Sequence, residues 1–128
     1  MTKFSDLSLN PKILKAIDEA GYETPTPIQA QAIPAALAGK DVLGIAQTGT
    51  GKTASFTLPM IHLLARGRAR ARMPRSLVLC PTRELAAQVA ENFDTYTKHL
   101  KLTKALLIGG VSFKEQDLLI DKGVDVLI

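Results

Sequence analysis

The chain contains one cysteine and two histidines among its 128 residues. With no second thiol, Cys80 cannot form a disulfide within the chain, which agrees with a reducing compartment. His62 and His99 have no further ligands at metal-binding spacing near them, so packing or surface roles are favoured for both. These scarcities argue against a disulfide-stabilised secreted fold and against a histidine-based metal centre.

Long apolar runs are also missing from the sequence. No stretch approaches the roughly 18 uninterrupted apolar residues of a membrane-spanning helix. The first residues, Met1–Asp6, contain no apolar signal region. We therefore expect a cytoplasmic protein that has no membrane partner.

The overall composition is that of an ordinary globular domain. Hydrophobic residues make up 46% of the chain and charged residues 22%, which together with the length predicts one domain with a substantial core. The net charge is +4. Such a mildly basic balance permits a nucleic-acid partner but does not require one.

One short stretch carries the strongest chemical signal, and it consists of Ala46, Gln47, Thr48, Gly49, Thr50, Gly51, Lys52 and Thr53. An apolar run at Val42–Ala46 predicts a buried strand before it, and helical spacing from Gly51 to Leu64 predicts a helix after it. Glycines let backbone N–H groups curve round phosphates, and a helix N-terminus supplies unpaired donors. The stretch therefore predicts a loop for a nucleoside triphosphate, with Lys52 reaching the β- and γ-phosphates and Thr53 binding Mg²⁺.

Ala46 departs from the general phosphate-loop pattern, which has glycine five positions before Gly51. A glycine-rich turn between a strand and a helix, with an incidental lysine, is the alternative interpretation. The order of strand, turn and helix favours phosphate binding over that alternative.

The remaining periodicity predicts alternating strands and helices. Helices are expected over 8–21, 26–39, 51–64, 83–100 and 112–121, and strands over 42–46, 76–80, 103–108 and 124–128. Nearly continuous apolar strands that alternate with helices are typical of a parallel sheet covered on both faces. The fold class predicted is therefore α/β, with three layers in the order helix, sheet, helix.

Helix starts are marked by capping residues. Asn10 precedes Pro11 at the first helical position, and Thr82 precedes the long helix that begins at Arg83. Thr26 and Gln29 form a capping-box pattern, so one interpretation of Gln29 is reciprocal hydrogen bonding at a helix start. Pro34 is expected to break or kink the helix that contains it.

Three polar or glycine-rich clusters follow three predicted strands. The phosphate loop follows the first strand, Pro81–Arg83 follows the second, and Gly109–Gly110 follows the third. Ligands of parallel sheets gather at the carboxyl ends of the strands. The sequence therefore predicts that these clusters share the active edge of the sheet.

The end of the sequence indicates an incomplete domain. Ile128 closes an apolar run, and no Asp-Glu pair stands at a strand end to serve magnesium and the attacking water. Asp125 lies inside its predicted strand. We therefore expect the chain to be the front part of a longer enzyme.

Taken together, these clusters resemble the first RecA-like domain of a DEAD-box RNA helicase, a P-loop NTPase domain, and the resemblance is greatest to the bacterial RhlE type. Phe4 and the stretch Gly21–Gln29 resemble the adenine-recognising Q motif. The stretch Ala46–Thr53 resembles motif I, where alanine at the first position is usual. Pro81–Leu85 resembles motif Ia, preceded by Cys80 in place of the usual alanine, and Gly109–Gly110 resembles the paired glycines that lie along RNA.

The resemblance implies a division of the chain and a set of residue roles. Residues 1–39 would be N-terminal helices with the Q motif, and residues 40–128 would be the front part of the RecA-like domain. Adenine would be bound by Phe4, Tyr22 and Gln29, and the phosphates of ATP or ADP by Ala46, Gln47, Thr48, Gly49, Thr50, Gly51, Lys52 and Thr53. Lys52 and Thr53 would be catalytic, with Thr53 on Mg²⁺. RNA phosphates would be contacted by Pro81, Thr82, Arg83, Gly109 and Gly110.

The function implied is that of an ATP-dependent RNA helicase, which unwinds short duplexes or remodels RNA–protein complexes together with a second RecA-like domain. Because the Asp-Glu-Ala-Asp and Ser-Ala-Thr motifs are missing, this chain is expected to bind nucleotide without efficient hydrolysis. A stand-alone nucleotide- or RNA-binding module and another P-loop ATPase are the alternatives. The five arginines from Arg66 to Arg75 are read as a solvated loop that could add RNA affinity.

Overall fold

The computed structural model of the chain describes residues 2–47, 51–66, 75–107 and 124–128. Three helices precede the first short strand along these residues. The predicted helix at 112–121, Thr48–Thr50 of the phosphate loop and the pair Gly109–Gly110 lie outside them. The described elements are a 3-10 turn at Phe4–Leu7, helices α1 (Pro11–Glu19), α2 (Pro27–Leu37), α3 (Lys52–Ala65) and α4 (Arg83–Tyr96), and strands β1 (Ser76–Leu77), β2 (Lys104–Ala105) and β3 (Val126–Leu127).

The three strands form one parallel sheet, as the sequence predicts. The strand order is β1-β3-β2, so the last strand in sequence lies in the middle. The ladder runs past the ends of the strands, since Val78 N–H donates to the Leu127 carbonyl at 2.8 Å and Ile128 N–H donates to the Ala105 carbonyl at 2.9 Å. Order 1-3-2 requires crossover connections, which in parallel sheets are usually helical.

The main core lies between one face of this sheet and the helices α1, α3 and α4. Its largest fully buried side chains include Phe93, Ile13, Ile17, Leu58, Ile61, Val89 and Val126. Val78 and Cys80 pack against this core, whereas Leu77 and Leu79 point away from it and are 64% and 84% exposed. Alternate residues of an extended segment face opposite sides, so the described residues cover only one face of β1. The helix predicted for 112–121, which would belong to a further layer, lies outside the described residues.

The prediction of a buried strand at Val42–Ala46 is wrong for the described structure. The segment is not assigned to any strand, and Leu43 and Ile45 are 88% and 86% exposed. An apolar run becomes a strand only where a neighbouring strand satisfies its backbone groups. None of the three described strands pairs with it, so its apolar side chains are left facing outward.

The predicted helix starts are confirmed by side-chain caps. Asn10 Oδ1 accepts a hydrogen bond from Lys12 N–H at 2.8 Å, and Thr82 Oγ1 accepts one from Leu85 N–H at 3.1 Å. Of the break or kink expected at Pro34, the break is wrong, because α2 continues through Pro34 to Leu37. Proline lacks only one N–H, and a helix can tolerate that loss when tertiary packing supports it.

Both histidines bind neighbouring helices, in agreement with the packing roles favoured by the sequence. His99 Nε2 lies 2.6 Å from Glu19 Oε1 at the end of α1, and Lys98 Nζ lies 2.5 Å from Glu19 Oε2. Hydrogen bonds from Lys98 and His99 lower the pKa of Glu19. His62 Nδ1 accepts the backbone N–H of Asn10 at 2.9 Å and so fastens α3 to the start of α1.

We expect acid to weaken the fold through His62. Partial burial, and to a smaller extent the charge of Arg66, lower the pKa of His62 below the ordinary value of 6.5. The unfolded chain therefore takes up a proton on His62 at a higher pH than the folded chain does. The stability that His62 contributes is complete above pH 6.5 and is lost as pH falls toward the pKa of the folded state. Protonated Nδ1 can no longer accept the Asn10 N–H.

The comparison that checks this uses His62→Asn, whose side-chain oxygen can occupy the position of Nδ1 without titrating. Urea midpoints measured from about pH 7.5 to about pH 5.5 should fall more steeply for the unchanged chain than for the variant. Parallel pH profiles for the two proteins would contradict a role for His62 protonation.

Candidate nucleotide-binding site

The start of α3 has the backbone geometry of an anion-binding site. Gly51 precedes the helix in a left-handed conformation, with φ 82°, and Lys52 and Thr53 are the first two helical residues. The first N–H groups of a helix have no partner inside it and carry partial positive charge. Lys52 makes no ion pair with another described residue. The arrangement therefore fits a phosphate group, in agreement with the sequence.

Gln29 joins α2 to this helix start. Its side chain is buried, and Oε1 accepts the backbone N–H of Thr26 at 2.9 Å, as the capping box predicts. Its Nε2 donates to the carbonyl of Gly51 at 3.1 Å. One amide thus closes the start of α2 and holds the residue before α3. The sequence does not predict the bond to Gly51, because the capping-box pattern involves only Thr26 and Gln29.

Gly51 is required by space as well as by its backbone angle. A Cβ at this position would lie 2.3 Å from Gln29 Nε2 and 3.1 Å from Gln29 Cδ. Both distances are shorter than ordinary van der Waals contact. The Gln29 amide therefore fills the volume that any larger residue at position 51 would need.

Phe4 and Tyr22, which the Q-motif resemblance assigns to adenine, line the same small cavity. Phe4 is buried, and its backbone N–H donates to the carbonyl of Glu23 at 3.1 Å, next to Tyr22. Tyr22 is 56% exposed and shares a cavity of about 250 Å³ with Phe4. Phe4 thus supports the connector, while the Tyr22 ring presents an open face.

Tyr22 also borders a second, polar cavity of about 380 Å³ that reaches Thr53. Residues of α4 form another part of its wall. Among them, burial raises the pKa of Tyr96, and the nearby Tyr22 raises it further. The phenol of Tyr96 therefore stays neutral at physiological pH. The lining residues contributed by α4 are Gln88, Glu91, Asn92, Thr95 and Tyr96.

The start of α3 and the residues that precede the second predicted cluster border one cavity. A cavity of about 530 Å³ is bordered by Gly51–Thr53 on one side and by Leu79 and Cys80 on the other. Beyond it, Pro81, Thr82 and Arg83 are exposed at the start of α4. The third cluster, Gly109–Gly110, lies outside the described residues. Ala46 is half-buried and Gln47 is exposed, and neither belongs to a helix or strand.

The described residues offer no preformed metal centre, since no group of three or more His, Cys, Asp or Glu residues is close enough to hold an ion. Magnesium keeps several waters and is usually bound through one or two protein oxygens and substrate phosphates. Thr53, at the start of α3, fits that mode. Within the described residues, no helix is both long and apolar enough to cross a membrane.

A parallel α/β fold whose glycine turn opens a helix with lysine and threonine is typical of nucleotide-phosphate-binding domains. Residues 26–128 match the family model described as DEAD/DEAH box helicase. The chain therefore belongs to the DEAD/DEAH box helicase family, as its motifs predict.

Three similar relatives are each named as an ATP-dependent RNA helicase. The chain is 48% identical to DeaD of Mycobacterium tuberculosis, over 98% of this chain and 22% of that protein. It is 46% identical to RhlB of Pasteurella multocida, over 98% of this chain and 30% of the relative, and 44% identical to SrmB of Escherichia coli, over 100% and 29%. The chain thus spans less than a third of these relatives, and the finer RhlE assignment stays a prediction.

Solved structures confirm the RecA-like fold class. The RNA helicase Prp28 from Chaetomium thermophilum bound to ADP aligns with a TM-score of 0.91 at 35% identity, over 99% of this chain and 31% of that one. A DEAD box protein from Methanococcus jannaschii aligns with a TM-score of 0.90 at 34% identity, over 100% and 34%. The division at residue 39 and the role of each site residue stay predictions.

Proposed function

We propose that this chain is the nucleotide-binding part of an ATP-dependent RNA helicase. The observation that carries the proposal is the Gln29 amide, which joins the Thr26 N–H to the Gly51 carbonyl at the opening of α3. This contact couples the segment expected to recognise adenine to the segment expected to bind phosphates. Family membership supports RNA as the second ligand.

In this proposal the residues of the site divide the nucleotide among them. Lys52 neutralises the β- and γ-phosphates, and the Thr53 hydroxyl is a ligand of Mg²⁺, which supplies charge neutralisation when bound. Tyr22 stacks on the base, with Phe4 beneath the connector. Ala46–Gly51, of which Thr48–Thr50 lie outside the described residues, surrounds the phosphates.

Gln29 can contact adenine without releasing Gly51. A side-chain amide has two N–H donors and two acceptor lone pairs, and the bonds to Thr26 and Gly51 use one of each. The remaining donor and acceptor match N7 and the N6 amino group of adenine. Guanine has an acceptor, O6, in place of that amino group. The two protein bonds also prevent the amide from turning over to accommodate guanine.

The test is equilibrium binding of ADP and GDP, each with Mg²⁺, to the unchanged chain and to Gln29→Ala. ADP should bind at least about tenfold more tightly than GDP, because a site built to hydrogen-bond one base leaves polar groups unpaired with the other. Gln29→Ala should lose most of this preference. Gln29→Glu should also weaken binding, since its second oxygen would face the Gly51 carbonyl.

Gln31→Ala is the matched control, because Gln31 lies on the exposed side of the same helix. Its affinities should equal those of the unchanged chain. Equal affinity for ADP and GDP in the unchanged chain would reduce Gln29 to a helix cap and overturn the adenine assignment.

The RNA side of the proposal rests on the start of α4. Pro81, Thr82 and Arg83 would contact RNA phosphates, with Gly109 and Gly110 continuing the track, so binding would be independent of base sequence. Hydrolysis would need motifs that this chain lacks and a second RecA-like domain. RNA-stimulated phosphate release by this chain alone would contradict that view. A stand-alone binding module is the alternative, and a cytoplasmic location stays a prediction.

A further inference from the structure

Thr57 places a fully buried hydroxyl in the interface between α3 and α4. The residue is 0% exposed, and its Oγ1 lies 2.9 Å from the backbone carbonyl of Thr53, one turn earlier. The same oxygen lies 3.2 Å from Oδ1 of the Asn92 side chain on α4. The hydroxyl thus has two hydrogen-bonding partners, one on its own helix and one on α4.

The hydroxyl has one proton and cannot give it to two acceptors. The O and N atoms of a side-chain amide exchange places when the group turns by half a turn, and the hydrogen-bond network decides between the two orientations. All three groups are satisfied when the Asn92 amide is turned so that its NH₂ donates to Thr57 Oγ1, while the hydroxyl donates to the Thr53 carbonyl. This order forms a continuous line of hydrogen bonds from α4 to the first turn of α3. Bonds in such a line polarise and strengthen one another.

The hydroxyl is not what packing alone would favour. Its neighbours on the buried face of α3 include Leu58 and Ile61, both fully buried. Burial of a hydroxyl in apolar surroundings is unfavourable, and a threonine that bonds back to the preceding turn tends to destabilise a helix slightly. A valine would fill the same volume without either penalty. Core packing therefore does not explain why position 57 holds a polar side chain.

We propose that Asn92 and Thr57 are positioning residues that hold Thr53 in place for the metal-bound nucleotide. The inference rests on the proposed function, because it assumes that Thr53 contacts Mg²⁺. Asn92 and Thr53 border the same polar cavity, so the two residues that Thr57 joins both lie in its wall. Thr82 and Arg83, which are expected to contact RNA, stand at the start of α4. Through Asn92 and Thr57, a movement of α4 would therefore shift the first turn of α3, which carries Thr53.

The test measures ADP affinity of the chain with Mg²⁺ and with a chelator, for the unchanged protein and for Thr57→Val. With Mg²⁺ the variant should bind ADP about fivefold more weakly, the size of one lost hydrogen bond. With chelator the two proteins should bind equally. Thr57→Ser, which keeps the hydroxyl, should restore the magnesium-dependent gain.

Asn92→Ala tests the other end of the line at a residue that is only partly buried. It should reduce the magnesium-dependent gain in the same direction, and the double variant with Thr57→Val should be no worse than Thr57→Val alone. Thr97→Val is the matched control, since Thr97 is also buried and donates to a carbonyl one turn earlier, that of Phe93, at 2.7 Å, but lies at the far end of α4. Its magnesium-dependent gain should be unchanged.

The outcomes separate the two proposals. An equal magnesium-dependent gain in Thr57→Val and in the unchanged chain would overturn the positioning role and leave the nucleotide site intact. A loss of the gain in Thr97→Val as large as in Thr57→Val would also overturn it, because general loosening of α4 would then be the cause. Failure of the unchanged, folded chain to bind ADP at all would overturn the proposed function, and the positioning role with it.

Discussion

Replacement of Asp125 by alanine is expected to lower the free energy of unfolding by about 3–5 kcal/mol, the range for breaking a buried ion pair from one side. The Asp125 residue is 8% exposed. Its Oδ1 accepts from Arg75 Nη2 at 2.7 Å and from Arg75 Nε at 3.2 Å, and its Oδ2 accepts the backbone N–H of Thr103 at 3.0 Å. One carboxylate thus holds together the segments that begin all three described strands.

The loss of stability is large because the Arg75 guanidinium and the Thr103 N–H would lose the carboxylate that pairs with them. The Arg75 side chain is only 23% exposed, so its charge would be partly desolvated with no counterion. The backbone strengthens the same junction, since Arg75 N–H and Ser76 N–H both donate to the Asp125 carbonyl, at 2.9 and 3.1 Å. Strands of two residues have few other ladder bonds to keep them aligned.

Urea unfolding measures this effect, with Asp94→Ala as the control. Asp94 pairs with Lys104 at 3.1 Å, but its side chain is 62% exposed, so its loss should cost less than about 1 kcal/mol. Asp125→Asn should be intermediate, because its amide oxygen can still accept from Thr103. A cost for Asp125→Ala as small as that for Asp94→Ala would show that the junction does not organise the sheet.

Local signals in the sequence predict the helix starts and the positions of the three described strands, but they do not show which strands pair. Asn10 and Thr82 cap their helices as predicted because a cap depends on residues two or three positions away. A strand depends on partners that may be distant in sequence, which explains the failure at Val42–Ala46. Asp125 was noticed only as an unsuitable catalytic carboxylate, since its partners Arg75 and Thr103 are 50 and 22 positions away.

The candidate site shows the same division. Gly51, Lys52 and Thr53 are predictable because the turn and the helix start adjoin one another in sequence. The bond from Gln29 to Gly51 spans 22 positions, and nothing in the local pattern around either residue indicates it. Thr57 belongs to an amphipathic helix whose apolar repeat gives no sign of a special role for its hydroxyl. Only the position of Asn92 on α4 shows that the hydroxyl has a partner on another helix.

Gly51→Ala is expected to weaken ADP binding by more than about tenfold and to destabilise the fold by about 3 kcal/mol, since it combines backbone strain with overpacking. With φ 82°, the position disfavours any residue that has a Cβ. The added methyl group would also lie 2.3 Å from Gln29 Nε2. Either the Gln29 amide or the opening turn of α3 must then move, and the proposed adenine and phosphate contacts would no longer be held together.

Two further variants separate these causes. Gly39 has a similar φ of 80° but no atom within 4 Å of an added Cβ, so Gly39→Ala should cost only the backbone strain, about 1–2 kcal/mol, and leave ADP affinity unchanged. In a Gln29→Ala background only the 3.2 Å approach to Thr26 Oγ1 remains near an added Cβ at Gly51, so adding Gly51→Ala there should cost little more stability than Gly39→Ala. If Gly51→Ala costs the same with and without the Gln29 side chain, contact with Gln29 is not what requires glycine at the opening of α3, and the phosphate loop is shaped by its own backbone alone.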